Sequence, residues 1–354
     1  MQAGRGPLSA LPRGAPMGGP GPRRGWLLLA GLLGLGALYY AGSGRARSPA
    51  APPPRPAGRA FHVLLMFTKA ERSPALQAKG RAALRSLLGR ARLGAGAALH
   101  LHLVSEEASR RVARGLLGEL LPGLRFRCEV IFHDVDVLTE KLFPVVEAMQ
   151  KHFSAGSGTY YGDSIFFLSV AMHQIMPKEI SRIIQLDMDL VHKANIRELF
   201  EEFDNFPPGA LIGIAREMQP VYRHIFWQFR RENPQTRVGE PPPDGLPGFN
   251  SGVLLLNLEA MRQSTLYQWL LKPAALQQLT EKYHFQGHLG DQDFFTVVGM
   301  EHPELFHVLD CTWNRQLCTW WRDHGYGDVF DAYFRCEGPV KIFHGNCNTP
   351  IPED

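Results

Sequence analysis

The 354-residue chain contains no Asn-x-Ser/Thr sequon, so N-glycosylation gives no help with topology. It has no block of lysine and arginine interleaved with aromatics, although its net charge is +4 and its pI is near 8.8. Much of the arginine falls in the N-terminal part, and the absence of a basic aromatic stripe argues against a nucleic-acid partner. No Cys-x-x-Cys pair occurs among the five cysteines, which argues against a zinc site. No internal repeat is visible, and apart from one stretch there is no apolar run long enough to cross a bilayer. With 45% hydrophobic and 20% charged residues, the chain has material for one substantial core plus appendages.

The exception among the apolar runs is WLLLAGLLGLGALYYAG, Trp26 to Gly42, which carries no charge and has Trp26, Tyr39 and Tyr40 near its ends. The long basic leader and the bulky Tyr39-Tyr40 end read as an uncleaved signal-anchor rather than a cleaved signal peptide. Residues 1–25 then form a cytoplasmic tail, 26–42 the transmembrane anchor, and 43–60, rich in Pro, Gly and Arg, a flexible stem. Arginines are nearly balanced across the span, with Arg5, Arg13, Arg23 and Arg24 before it and Arg45, Arg47, Arg55 and Arg59 after it. The cysteines decide the orientation. Cys311, Cys318, Cys336 and Cys347 cluster near the C-terminus and read as two disulfides of an oxidising lumen, which makes the topology type II, with 61–354 as the luminal domain. Four cysteines allow three pairings, and spacing does not choose among them. Cys128, beside the apolar run Val130-Ile131-Phe132, reads as a free core thiol.

From residue 61 onward apolar strands alternate with helical spacing. HVLLMF, LHLHLVS, EVIFHDV and RIIQLD read as strands, and the stretches from Ala75, from Glu140 to His152 and from Ser164 to Ile175 read as helices. Ser105 is expected to cap the helix EEASRRVARGLLGELL. The segment from Met218 to Arg231 also has helical character. The pattern specifies an α/β fold around a mostly parallel central sheet flanked by helices, with a disulfide-stapled C-terminal segment.

The sharpest chemical feature is Asp187-Met188-Asp189, at the end of the strand IIQL. Period two puts both carboxylates on one side and Met188 on the other. Ligands of open α/β sheets bind at such carboxyl ends, and two convergent carboxylates suit a hard divalent cation that also holds phosphate. Three further motifs follow in order. FNSGVLLLNL reads as an Asn-Ser-Gly turn entering a buried strand, HLGDQDFF opens a helix at Asp291, Gln292 and Asp293, and KIFHG sets His344 and Gly345 after a strand. Trp320 and Trp321, between the cysteines, and His288 and Leu289, before the acidic turn, are candidates to line a ligand pocket. The histidines at 62, 100, 102, 133 and 173 lie on or beside apolar runs and are assigned no role.

The ordered set LDMDL, FNSGVLLLNL, GDQDFF and KIFHG resembles the family 8 retaining glycosyltransferases, the group that includes glycogenin, across nearly all of residues 61–354. The resemblance implies a GT-A (nucleotide-diphospho-sugar transferase) fold. It implies Mn2+, with Mg2+ as a substitute, held by Asp187, Asp189 and His344. It implies donor contacts at Met66, Phe67, Thr68, Met188, Asn250, Ser251, Gly252 and Asn346, with Gln292 and Asp291 at the reacting centre. Longer stretches, YRHIFWQFRRENPQTR and CTWNRQLCTWWRDHGY, resemble a branch of the family that takes UDP-xylose. Members of that branch extend a xylose–glucose disaccharide, O-linked to serine on EGF-like repeats of Notch-type proteins, through an α-1,3 linkage in the endoplasmic reticulum. Another UDP-sugar donor, or a luminal glycan-binding module without turnover, stays open beside this reading. One departure is visible: the family's tail motif carries a phosphate-binding lysine, and the segment from His344 to Pro350 has none.

Overall fold

A computed structural model describes residues 59–154 and 162–352. The expected tail and anchor, and the stem up to residue 58, lie outside the described residues. Among the described residues no helix is long and apolar enough to cross a membrane.

Seven strands form the main sheet in the order β3-β2-β1-β4-β7-β6-β8. They are β1 (Ala60–Met66), β2 (Ala98–Ser105), β3 (Arg127–Asp134), β4 (Arg182–Leu186), β6 (Ile212–Arg216), β7 (Phe249–Asn257) and β8 (Phe306–Leu309). β1, β2, β3 and β4 pair in parallel, as do β6 and β8. β7 runs antiparallel to both of its neighbours. A small second sheet joins β5 (Leu190–His192), β10 (Ile342–His344) and β9 (Arg315–Gln316).

Both faces of the main sheet are covered, so its strands read as apolar runs. Along β1, Leu64 enters the core shared with the helices Val135–Phe153 and Leu168–Ile175, while Val63 and Leu65 enter the core beneath the helices Pro74–Arg90 and Glu107–Leu120. The helices start where local chemistry permits. Ser73 accepts from Leu76 N ahead of Pro74, and Asp134 accepts from Asp136 N and Val137 N.

Several expectations are corrected. Ser105 is not a cap: it is fully buried and still pairs with Asp134 in the β2–β3 ladder. Glu106 takes the capping position instead, and its side chain accepts from Lys69 N and from the Ser109 hydroxyl. Residues 162–167 form a 3-10 turn before the helix proper. The segment 218–231 breaks into Val221–Ile225 and Trp227–Glu232 around the buried ring of Phe226. Asn250, Ser251 and Gly252 lie inside β7 rather than in a turn before it. Their residue types read as a turn, and the β6–β7 register does jump there: Ile214 faces Leu254 but Ala215 faces Asn250, so 251–253 bulge out of that ladder.

The cysteines pair as Cys311–Cys336 and Cys318–Cys347. Cys128 is free and half-buried, and burial pushes its thiol up to about 11, which keeps it protonated and unreactive.

Candidate active site

The carboxyl ends of β1, β4 and β6 meet the start of antiparallel β7 at one edge of the sheet. β10 brings His344 to the same place by pairing with β5, where His344 stands opposite Leu190. Asp187 and Asp189 follow β4 and converge on the ring: His344 Nε2 is 3.3 Å from Asp189 Oδ1 and 3.7 Å from Asp187 Oδ2. These three residues form a cluster able to hold a metal ion, with all ligand atoms within 4.8 Å of one another. One imidazole nitrogen and two carboxylates, open on the cleft side, are a donor set that fits a divalent cation.

The electrostatics match that reading. Burial in the cleft pushes Asp187 up to about 6 against the pull of His344, tempered because 44% of its side chain stays open to solvent. Burial would raise Asp189 too, but the hydrogen bond from His344 and the charges of His344 and Lys79 bring it below its usual value. Burial would lower His344, yet the hydrogen bond to Asp189 and the charges of Asp187, Asp189 and Glu217 raise it. A positive charge is favoured between these carboxylates.

Gly252 makes room for this ring. A Cβ at position 252 would lie 2.4 Å from His344 Cε1 and 2.7 Å from Nδ1. The β7 bulge also leaves two backbone donors that serve the site. Ser251 N donates to Gln292 Oε1 at 3.2 Å, and Gly252 N donates to Asn250 Oδ1 at 3.1 Å. The amide groups of Gln292 and Asn250 then both donate to Glu217 Oε2, at 3.2 and 3.1 Å. Glu217, just past β6, is buried, and that burial pushes it up to about 7.

Beside the cluster lies a cavity of about 340 Å³ lined by Met66, Asp187, Ser251, His288, Leu289 and Asp291, among others. Asp291 opens the helix Asp291–Glu301. It accepts the Ser169 hydroxyl at 2.6 Å, and burial pushes it up to about 7. Asp293 is wholly buried and accepts from Tyr222 Oη and Leu289 N, so it holds the His288–Leu289 turn in place. On the Asp189 side a second cavity of about 630 Å³ is bordered by Lys79, Arg85, Gly345 and Asn348. Lys79 Nζ lies 3.8 Å from Asp189 Oδ2.

The expected residues therefore divide. Asp187, Asp189 and His344 come together, and Met66, Ser251, His288, Leu289 and Asp291 line one cavity, with Gln292 immediately behind Ser251. Thr68 sits half-exposed just beyond β1. The side chains of Phe67 and Met188 are buried on the opposite side, packed near Gly80, because alternation after Met66 and after Asp187 turns them into the core, so any part they take in donor binding falls to their backbone. Asn250 is buried and its amide is spent on protein partners. Asn346 uses Oδ1 to accept from Leu317 N and Cys318 N. Trp320 is 51% exposed and stacks on His324, while Trp321 packs against Tyr326; neither lines the cavity of Asp187 and Asp291.

Sequence reasoning passed over Glu217, Asn314 and Ser169. For Glu217 a signal existed, a carboxylate that follows the apolar run IGIA after one residue, near the strand end as Asp187 is. Asn314 and Ser169 carried none.

Comparison with known proteins agrees with this geometry. Residues 125–325 match the glycosyl transferase family 8 model. The chain is 69% identical to human xyloside xylosyltransferase 1 over 367 aligned positions, covering 93% of each. It is similar to the apo crystal structure of mouse xyloside xylosyltransferase 1, with a TM-score of 0.81 and 78% identity over 83% of this chain and all of that one. It is also 31% identical to mouse xylosyl- and glucuronyltransferase LARGE2 over 70% of its length, which corresponds to 31% of that protein. With a parallel-dominated sheet, an Asp-x-Asp and histidine cluster at its edge and this level of identity, the chain is an enzyme of the GT-A fold and belongs to glycosyl transferase family 8.

Proposed function

We propose that the protein transfers xylose from UDP-xylose, with retention and in an α-1,3 linkage, to the terminal xylose of xylose–glucose O-linked to serine on EGF-like repeats of Notch-type proteins. The observation that carries this reading is the Asp187–Asp189–His344 cluster, whose Asp187 lines the cavity of Ser251 and Asp291, in a chain 69% identical to a xyloside xylosyltransferase. The cation is Mn2+, with Mg2+ as a substitute; when bound it stabilises the charge of the departing diphosphate. Lys79, beside Asp189, adds the positive charge that the tail segment lacks.

The remaining work falls to the chain. Met66, Thr68 and Ser251 border the donor, and the free amide hydrogen of Asn346 is available to it. His288 and Leu289 border the acceptor, and Trp320 and Trp321 offer a more distant aromatic surface for the acceptor's protein part. Attack occurs on the face from which UDP leaves, and the acceptor proton passes to the leaving phosphate. Gln292, its amide held between Ser251 N and Glu217, presents a fixed dipole to the developing oxocarbenium charge. Asp291 already accepts the Ser169 hydroxyl at 2.6 Å, which ties up one of its oxygens and favours same-face attack over a covalent adduct. Residues 26–42 anchor the enzyme in the endoplasmic reticulum membrane as a single-pass type II protein, with 61–354 in the lumen.

The test is to incubate the full-length protein with UDP-xylose, MnCl2 and a synthetic xylose–glucose–serine glycoside. UDP-glucose and UDP-galactose run in parallel, with Asp189→Ala as control, and products are read by mass spectrometry. One added pentose, lost with chelator and in D189A, is the expected result. A different preferred donor would overturn the xylose assignment, and absence of both turnover and donor binding would leave a glycan-binding module. A trapped glycosyl adduct on Asp291 would overturn the same-face route.

A further inference from the structure

A continuous chain of buried side-chain hydrogen bonds runs from His344 to the β7 bulge. His344 Nδ1 is 2.9 Å from Asn314 Oδ1. Asn314 Nδ2 donates to Asn250 Oδ1 at 2.9 Å, and Asn250 Nδ2 donates to Glu217 Oε2 at 3.1 Å. Asn314 is wholly buried, and Asn250, Glu217 and His344 are nearly so.

The direction of this chain is set by a group whose chemistry is unambiguous. The backbone N–H of Gly252 points at Asn250 Oδ1, so the oxygen of that amide must face it. An oxygen at Oδ1 requires a donor from Asn314, so the Asn314 NH2 faces Asn250 and its oxygen faces His344. An oxygen opposite Nδ1 requires Nδ1 to carry hydrogen. The other nitrogen, Nε2, is the one turned to Asp187 and Asp189. The bulge matters because it takes Gly252 out of the β6 ladder and leaves its N–H to the side chain of Asn250. Each amide has only one orientation that avoids facing like with like, and a buried mismatch of that kind costs about 1–3 kcal/mol.

We propose that Asn314, aimed by Asn250 and the Gly252 N–H, is the positioning residue that holds His344 with its Nδ1 hydrogen engaged and its Nε2 lone pair presented to the cation. This rests on the reading of Asp187, Asp189 and His344 as metal ligands. Asn314 touches neither donor nor cation; it acts through His344. Partners of this kind, on the far nitrogen of a ligating histidine, typically change metal affinity about 10–100-fold when removed.

The experiment compares full-length wild type, Asn314→Leu and Asn314→Asp. Mn2+ binding is measured by calorimetry, and exchange of the His344 Nδ1 proton by NMR in the Mg2+-loaded protein. N314L keeps the volume but removes the acceptor; we expect Mn2+ affinity to fall about 10–100-fold and the Nδ1 proton to exchange faster. N314D keeps an acceptor for Nδ1–H but sets an oxygen against Asn250 Oδ1, so we expect a lower melting temperature, with Mn2+ affinity and Nδ1 exchange much nearer to wild type than in N314L. A merely structural role for Asn314 would lower the melting temperature in both variants while leaving Mn2+ affinity unmoved, and that result overturns the proposal. N314D losing as much affinity as N314L also overturns it; if N314L fails to fold, N314D is set against wild type alone, and a loss of about tenfold or more in N314D overturns the proposal. If wild type itself binds no Mn2+, the metal reading falls and takes the proposal with it. If wild type binds and N314L binds equally, the proposal alone falls.

Discussion

His344 lies 3.3 and 3.7 Å from two carboxylates, so on the proposed metal reading a cation and a proton compete for its Nε2. The proton is held more tightly than in free histidine, because the hydrogen bond to Asp189 and the nearby acids outweigh the effect of burial. Metal needs the unprotonated ring, so cation affinity is expected to fall as pH drops through the raised His344 value, with proton release on binding in that range, to which Asp187 adds. Calorimetry in buffers of different ionisation enthalpy checks this; a pH-independent affinity would exclude His344 as a ligand. Gly252 presents a different constraint. Alanine there would place Cβ 2.4 Å from the histidine ring, so the ring must move. G252A is expected to lose tenfold or more in Mn2+ affinity, on the order of a lost supporting contact, with the fold retained by circular dichroism.

Strands β1, β2 and β3 carry a ladder of histidines on one face. His62 Nδ1 is 3.0 Å from His102 Nε2, and His102 Nδ1 is 2.9 Å from His133 Nε2. The parallel register explains the meeting: His62 is paired with His100, Leu64 with His102, and Val104 with His133, so these rings share a face on adjacent strands. Burial, aided by neighbouring histidines, depresses His62 to about 4 and His102 to about 3, and burial with Lys141 lowers His133. The native state therefore holds these rings neutral while the unfolded chain protonates near 6.5. Their contribution to stability is complete above 6.5 and declines as pH falls from there through the depressed native values. Buried acids work the other way in the same window, since Asp291 and Glu217 are raised by burial to about 7 and acidification favours their native form. A difference measurement separates the two: thermal unfolding of His102→Gln against wild type should show a shallower loss between pH 6.5 and 4. Parallel curves would mean that His102 is not held neutral. The sequence reading gave these histidines no role in catalysis, and nothing in the fold assigns them one; their consequence is for acid stability.

Over the whole molecule, the two disulfides tie the last stretch of chain to the sheet edge. In the chain-entropy description, loops of 25 and 29 residues are each stabilised by about 3–4 kcal/mol. Cys318–Cys347 has the more direct functional consequence, because it joins the residue after Leu317 to the segment three residues past His344. Asn346 reinforces the same junction by accepting from Leu317 N and Cys318 N. Replacing Cys318 and Cys347 together by serine should lower the melting temperature by several degrees and raise the Mn2+ concentration needed for turnover. Replacing Cys311 and Cys336 should affect stability with a smaller change in metal requirement. Equal metal requirements in the two double variants would show that the tail is held to the site by packing alone.

Sequence by itself determined the alternation of strands and helices, the two-faced burial of the parallel strands, the Asp-x-Asp at the end of β4, and the presence of two disulfides. These are written in short-range patterns: period two, period 3.6, and residue types that suit few environments. Tertiary structure decided the rest. The cysteine pairing needed the positions of β9 and β10, and Glu217 and Asn314 became visible only when β6, β7 and the segment after β8 met. Asn250 looks like a turn residue in the sequence, yet it lies inside β7 at a register jump against β6, with its amide bonded to Glu217, Gly252 N and Asn314. Such a jump depends on how two strands distant in sequence fit together, and no local pattern of one strand specifies it.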